Sequence, residues 1–310
     1  MQRDIRKLRI RFVIVVILIV TFVMGCIFGV ICNVLQNTIE DAFLDPITKH
    51  YMIRSVRLNA TFICVGGIAV FAVIGIIASK WIVKPVETSW KEQKQFVSDA
   101  SHELKTPLTV ITTNAEMLQQ NEISNEDRQK YSNNIVTVSH QMKNLVEDLL
   151  NLARIEKGEE AGFEKINLSQ IYSESILQFE PVMFELGLSL KEDISENVFV
   201  NGSAQRLSQL LVILLDNAGK YSKPGEVKVS LSAQGKNAVL EVSNPSDLMS
   251  SDQLKNIFKR FYRADESHNA KGSFGLGLSI AESIANAHKG KIKAEYLNGN
   301  ISFIVNIPLA

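Results

Sequence analysis

FVSDASHELKTPLTV, residues 96–110, is the stretch from which the rest of the chain can be read. Val97, Ala100, Leu104 and Leu108 recur at three- and four-residue steps, and Ile111, Ala115 and Leu118 continue the series. This stripe predicts an amphipathic helix that begins near Gln93. At about 100° per residue the stripe centres near Ala100 and Leu104, so His102 points away from it. Thr106 lies one turn further on, along the same outer face. An exposed helical histidine is unremarkable alone, but this one has Glu103 beside it to hold or accept an imidazole proton. The neutral ring has one nitrogen free to attack phosphorus and one N–H for an acceptor to orient. Pro107 removes a backbone donor and clashes with the carbonyl of Glu103, predicting a kink beside the histidine at a cost in stability.

Outward from this stretch, residues 121–125 break the pattern, and Ser124 with Asp127 resembles a capping box. Tyr131, Ile135, Val138, Met142, Leu145, Leu149 and Leu152 then follow at alternating four- and three-residue steps. That is a heptad seam, with Gly158 as a plausible C-cap. Two such helices make a hairpin, and pairing two hairpins into a four-helix bundle covers the apolar surface that one leaves bare. A homodimer is expected.

Toward the N-terminus the chain turns apolar. Residues 12–39 carry no charge, and residues 58–79 form a second uncharged run of 22 residues. Each exceeds the roughly 20 residues that a helix needs to cross a bilayer. The expectation is a membrane anchor over residues 1–83, with spans at about 12–34 and 58–79. Arg3, Arg6, Lys7, Arg9 and Arg11 precede the first run, and Lys80 and Lys84 follow the second. The positive-inside rule therefore places both termini in the cytoplasm. The 25 residues from Asn33 to Arg57 then face outside, although this loop also carries Lys49, Arg54 and Arg57. So short a loop buries no core, and sensing is left to the membrane helices, a membrane partner protein or the loop itself. Cys26, Cys32 and Cys64 all lie in apolar stretches, with no metal-site spacing and no disulfide framework.

The formal net charge of +0 offers no basic stripe for nucleic acid. Residues 84–92 read as a connector. A dimerisation and phosphotransfer module is expected over 93–158 and a nucleotide module over 159–310. In the latter, residues 168–185 and 203–221 read as helices. Val227, Val229 and Leu231, and Ile301, Phe303, Val305 and Ile307, alternate as half-buried strands do. The fold class is thus α+β multidomain, with two transmembrane helices, a helical hairpin and a two-layer α/β sandwich. Asn217, Lys220 and Tyr221 share one edge of the second helix. Gly272, Gly275 and Gly277 precede a helical run over 279–288, where backbone N–H groups and a helix N-terminus favour phosphate. The segment 257–263, IFKRFYR, spaces its aromatics as a helix would.

Residues 96–110 resemble the H-box of bacterial two-component sensor histidine kinases. LDNAGKY (215–221) is similar to the N-box of that family, FKRFYR (258–263) to its F-box, and Gly275-Leu276-Gly277 to its second glycine box. The resemblance covers about residues 90–310. It implies ATP and Mg²⁺ as ligands, phosphorylation of His102 with help from Glu103, and transfer to an aspartate of a response regulator. It implies that Thr106 orients water for the phosphatase reaction. Asn217 would ligate Mg²⁺, Lys220 would approach phosphate and Tyr221 would lie near the base, with Arg263, Leu276 and the lid from about residue 244 to 271 around the nucleotide. Lys259 and Arg260 are further lid cations. A bacterial plasma membrane location follows. Asn244 stands where the family carries an adenine-gripping aspartate, Ser246 and Leu248 replace glycines, and Ile213 stands where the family often has an asparagine. Lys84-Pro85-Val86 resembles the opening of a HAMP relay, but the stretch is too short for one. A continuous helix from Lys80 to His102 would run about 33 Å. The alternatives are a kinase-inactive signalling or phosphatase module, motivated by the altered first glycine box, and an ATP-driven clamp, which has no need of an H-box.

Overall fold

A computed structural model of the chain describes residues 2–41, 45–120, 123–158, 162–264 and 274–310. It divides into two compact units, Met1–Ser98 and Asp99–Ala310.

The first unit contains helix α1 (Gln2–Glu40) and the leading part of helix α2 (Pro46–Leu118). Segments Ile17–Ile39 and Pro46–Ile74 are long and apolar enough to cross a membrane. The two helices meet at a few points with opposite chain directions. The Cys64 thiol lies 3.7 Å from the Met24 carbonyl, and Arg57 donates to the Gln36 side chain at 3.1 Å. Gly67 faces the flexible end of Met24, whose Cε would lie 2.7 Å from a Cβ placed there. The three thiols are free. The residues expected to form a connector, 84–92, are helical and belong to α2, so Pro85 does not interrupt it.

The second unit begins within α2. Helix assignment continues through Pro107, whose ring is buried. Helix α3 (Asn125–Glu156) starts at Ser124, whose hydroxyl accepts from the Asp127 amide at 3.0 Å. It stops at Gly158, which has φ +66° and continues past the helix as no L-residue does easily. Of the heptad seam, Leu145 and Leu152 are fully buried and the other members half-buried, while Val136, Val146 and Leu150 stay exposed.

Strand β1 (Glu164–Asn167) pairs antiparallel with β3 (Phe199–Gly202). The main sheet contains β2 (Ser189–Ile194), β4 (Glu226–Gln234), β5 (Asn237–Pro245), β6 (Lys291–Leu297) and β7 (Asn300–Pro308), in the order β2-β4-β5-β7-β6. Only β2–β4 is parallel among these neighbours. Helices α4 (Leu168–Glu185), α5 (Ala204–Tyr221) and α7 (Gly277–Ala287) form the second layer. Along β5 and β7 every second residue is buried, which is the period of a strand with one covered face. Leu207, Leu210, Leu211, Leu214, Leu215 and Ala218 of α5 are fully buried and form the centre of this core. Helix α3 also packs against α7.

One expectation needs correction. Helix α6 spans only Ser251–Asn256, and residues 257–261 form turns, with 262–263 irregular, rather than a helix. Phe261 has φ +60°, which no helix accommodates. Its amide instead donates to the Gly275 carbonyl at 2.9 Å. Gly272 and much of the expected lid, residues 265–271, lie outside the described residues.

Candidate active site

His102 is exposed on α2, as its helical phase requires, and Glu103 beside it is half-buried. Thr106 is exposed on the same face, its hydroxyl 3.4 Å from the His102 carbonyl. A cleft of about 350 Å³ is lined by Asp99, His102 and Glu103 from α2 and by Lys259, Arg260, Phe261 and Tyr262 from the turns after α6. It joins the histidine to two cations some 157 residues away in sequence. Arg260 also pairs with Glu156 in the last turn of α3. Asp99 went unnoticed at the sequence level, yet it lies three residues before His102, one turn down the same face.

The other expected site residues cluster at the ends of α5, β5 and α7. Asn217 is half-buried on α5. Lys220 reaches back to Asp216 at 2.6 Å. Asp148 of α3 lies near this pair. Burial raises its carboxyl above the usual range; Lys220 opposes the rise, while Glu147 and Asp216 add to it. Tyr221, at the end of α5, is 38% exposed. Arg263 is half-buried beyond the turns. None of these lines the His102 cleft among the described residues.

Asn244 is 1% exposed at the end of β5. Its Nδ2 donates to the Pro245 carbonyl at 3.2 Å, which leaves Oδ1 buried without a hydrogen-bond partner among the described residues. A buried acceptor of this kind costs roughly 1–3 kcal/mol until a donor reaches it. Beyond it, Lys223 and Asp247 pair at 2.5 Å, and the Lys223 amide donates to the Pro245 carbonyl at 2.9 Å. These contacts tie the altered first glycine box to the end of α5.

Leu276 is the N-cap of α7 and makes no side-chain cap, so the leading amides of α7 have no side-chain acceptor there. Leu276 itself is 1% exposed and anchors the turn. Gly277 sits against Ile213, where a Cβ would lie 3.3 Å from the isoleucine methyl. Ile213 thus packs against the glycine turn. Gly275 has φ +70°, and a Cβ there would lie 2.8 Å from the Tyr262 carbonyl and 2.9 Å from the Phe261 carbonyl carbon. Both neighbours are backbone. The glycine is therefore required by its contact with the turns of 257–263, beyond the closeness to phosphate that its sequence suggests. Gly275→Ala adds strain of roughly 1–3 kcal/mol. ATP affinity is expected to fall by about tenfold or more when opening of the turn absorbs that strain. Titration calorimetry of wild type against variant measures this, and an unchanged affinity contradicts it.

His288, 3% exposed, was not anticipated. Its Nε2 accepts from the Ser203 amide at 3.1 Å and its Nδ1 lies 2.8 Å from the Ile284 carbonyl, so the ring is neutral with the proton on Nδ1. It stacks on Phe163 at 4.7 Å between centroids. Burial, and secondarily the charge of Arg206, lower its pKa, against the Ile284 hydrogen bond. Above about pH 6.5 folded and unfolded chains both hold it neutral, and its stabilising contribution is complete. Below that, the unfolded chain takes a proton that the fold refuses, so stability is lost as pH falls toward the lowered folded pKa. Thermal melts from pH 7.5 to 5 should show this decline, and His288→Gln should flatten that part of it.

Comparisons with known proteins identify the two modules that carry these residues. Residues 92–158 match the His Kinase A (phospho-acceptor) domain, and residues 202–310 match the histidine kinase-, DNA gyrase B- and HSP90-like ATPase. The sensor protein DltS of Streptococcus agalactiae serotype III is 40% identical over 245 residues, which is 78% of this chain and 61% of DltS. The sensor histidine kinase YkoH of Bacillus subtilis is 36% identical over 64% of this chain and 44% of its own length. The chain therefore spans less than two thirds of these relatives. Among solved structures, Acinetobacter baumannii histidine kinase AdeS matches in fold with a TM-score of 0.54 and 24% identity, covering 67% of this chain and 98% of that one. Histidine kinase ThkA in complex with response regulator protein TrrA matches with a TM-score of 0.58 and 21% identity, over 73% of this chain and 66% of that one. With a phospho-acceptor domain followed by an ATPase domain of this kind, the chain belongs to the two-component sensor histidine kinases.

Proposed function

We propose that the protein is a membrane-anchored homodimer that transfers the γ-phosphoryl group of ATP to His102 and then to an aspartate of a response regulator. The observation that carries this reading is the cleft in which Asp99, His102 and Glu103 face Lys259 and Arg260. A neutral imidazole attacks phosphorus in line through one nitrogen, while Glu103 holds or accepts the proton of the other. Lys259 and Arg260 offset the charge of the arriving phosphoryl group, and positioning supplies most of the rate.

The nucleotide end has features that suit ATP. The buried Asn244 Oδ1 offers the acceptor that an adenine amino group can meet, and the α7 amides suit phosphate. Tyr221 and Arg263 border the base and phosphates, and Lys220 approaches phosphate once released from Asp216. Asn217 would be the protein ligand of Mg²⁺, an ion that usually takes few protein ligands beside phosphate and water. When bound, the ion neutralises phosphate charge. Thr106, exposed beside His102, suits a water-orienting role in dephosphorylation of the regulator. The exposed apolar residues Val97, Leu108, Val136 and Leu150 of α2 and α3 favour a second copy of the hairpin as their cover. With spans in α1 and early α2, the lysines and arginines that flank them favour cytoplasmic termini by the positive-inside rule. A response-regulator partner is in keeping with the neighbour ThkA, a histidine kinase of this fold whose structure was solved in complex with response regulator protein TrrA.

The test is autophosphorylation of the full chain in lipid nanodiscs with γ-labelled ATP and Mg²⁺, followed by a chase onto candidate regulators. Acid-labile, base-stable label that moves to a regulator supports the proposal. ATP binding without label favours a kinase-inactive phosphatase module instead.

A further inference from the structure

The two-helix unit has a polar end that the phosphotransfer reading leaves unused. On α2, His50, Arg54 and Arg57 recur at i, i+4 and i+7 and so lie along one helical face; all three are exposed. Arg57 is the last charge before the apolar run 58–79, which sets its guanidinium at the edge of the hydrocarbon. Across from it, Asn33, Gln36 and Asn37 of α1 supply side-chain amides. Gln36 Oε1 accepts from Arg57 at 3.1 Å, and Asn37 donates to Asn33 at 3.1 Å. One guanidinium N–H is thus spent on Gln36, which fixes the side chain in place. A guanidinium has five N–H groups in a planar fork.

Arginines near the end of a membrane helix extend their guanidinium groups to the headgroup level. Among the described residues no carboxylate forms an ion pair with Arg54 or Arg57. The nearby Asp45 is engaged with the Thr48 amide and hydroxyl at 3.1 and 2.6 Å. An anion with several acceptor oxygens at the depth of the lipid headgroups would suit this face. A phosphate diester meets that description, since a guanidinium fork grips two of its oxygens and side-chain amides can reach others.

We propose that His50, Arg54 and Arg57, with the α1 amides, form a binding site for the headgroup of an anionic phospholipid in the outer leaflet. The proposal rests on the outward topology inferred above. It gives a function to Arg54 and Arg57, two of the three cations that stand on the wrong side of the positive-inside pattern. Headgroup occupancy ties the outer ends of α1 and α2 to the charge of the leaflet, so the site would read membrane composition.

Native mass spectrometry of the full chain tests it, with phosphatidylglycerol, phosphatidylcholine or inorganic phosphate added to detergent micelles. The wild type should retain phosphatidylglycerol in preference to phosphatidylcholine. Arg54→Gln/Arg57→Gln should weaken that retention about twenty-fivefold, from roughly fivefold per surface cation. Arg54→Lys/Arg57→Lys, which keeps the charge but not the fork, should recover only part of it, and that partial recovery guards against a misfolded variant. The N-terminal cations are the same in all three, so the difference between them isolates this face. Equal retention in wild type and the glutamine variant overturns the proposal, as does binding of inorganic phosphate with no lipid preference. In a chain with Cys26, Cys32 and Cys64 changed to serine, labelling of Ser55→Cys by an impermeant maleimide on intact cells reports the topology separately. Failure to label sinks the outward orientation; labelling with unchanged lipid retention sinks only the headgroup site.

Discussion

His102→Gln is expected to bring ATP-derived label on the chain to background, a loss of at least about a thousandfold, with ATP affinity unchanged within about twofold. The reason is positional. His102 is exposed on α2 and packs into no core, so an amide there should alter stability by about 0.5 kcal/mol or less. The residues proposed to bind nucleotide, chiefly on α5, β5 and the turn into α7, do not line the His102 cleft among the described residues. Glu103→Gln should retain label but slow its appearance by about a hundredfold, the usual scale for a lost proton acceptor. Thr106→Ala should label at the wild-type rate and lose only dephosphorylation of the regulator. Single-turnover labelling and a regulator chase separate the three. If His102→Gln retained acid-labile phosphate, the acceptor would be another histidine, and exposed His140 would be examined next.

Gly290→Ala should have the largest effect on stability. The glycine follows α7, where Lys289 takes φ +57° and the Gly290 amide returns to the Ala285 carbonyl at 2.9 Å. A Cβ at this point would lie 2.3 Å from the Asn306 carbonyl and 3.1 Å from that of Ala285. Asn306 is opposite Lys291 in the β6–β7 pair, so neither backbone can yield without disturbing the sheet register. The cost belongs at the top of the roughly 1–3 kcal/mol range for overpacking. For a domain of this size that lowers the melting temperature by about 6–12 °C. Scanning calorimetry measures it, and a shift under 2 °C would falsify the assignment of this glycine to close packing.

How much of this was legible beforehand depended on whether a residue's role is local or acquired through contact. The phase of His102, the ends of α4 and α5, and the cap at Ser124 follow from periodicity and short-range hydrogen bonding, which sequence encodes directly. The turn over 257–263 was misread, because aromatic spacing at three and four residues fits a helix and the opposing cause lies elsewhere. Phe261 is drawn into a left-handed conformation by a bond to the carbonyl of Gly275, fourteen residues downstream. His288 carries no local signal at all. Its place is set by Gly202 and Ser203, where a Cβ on the glycine would lie 2.4 Å from the imidazole. The orphaned oxygen of Asn244 was half-legible: the substitution was visible in sequence, but the bond to Pro245 that turns the oxygen inward was not.

The order β2-β4-β5-β7-β6 places residues 300–308 inside the sheet, between strands made earlier. During synthesis, β5 and β6 therefore emerge from the ribosome with facing edges that only β7 can join. Until it arrives the nascent chain has an open seam in its sheet, and the nucleotide module cannot close its core. The acceptor hairpin, complete by residue 158, is under no such restriction and can begin pairing with another copy while its ATPase is still being translated.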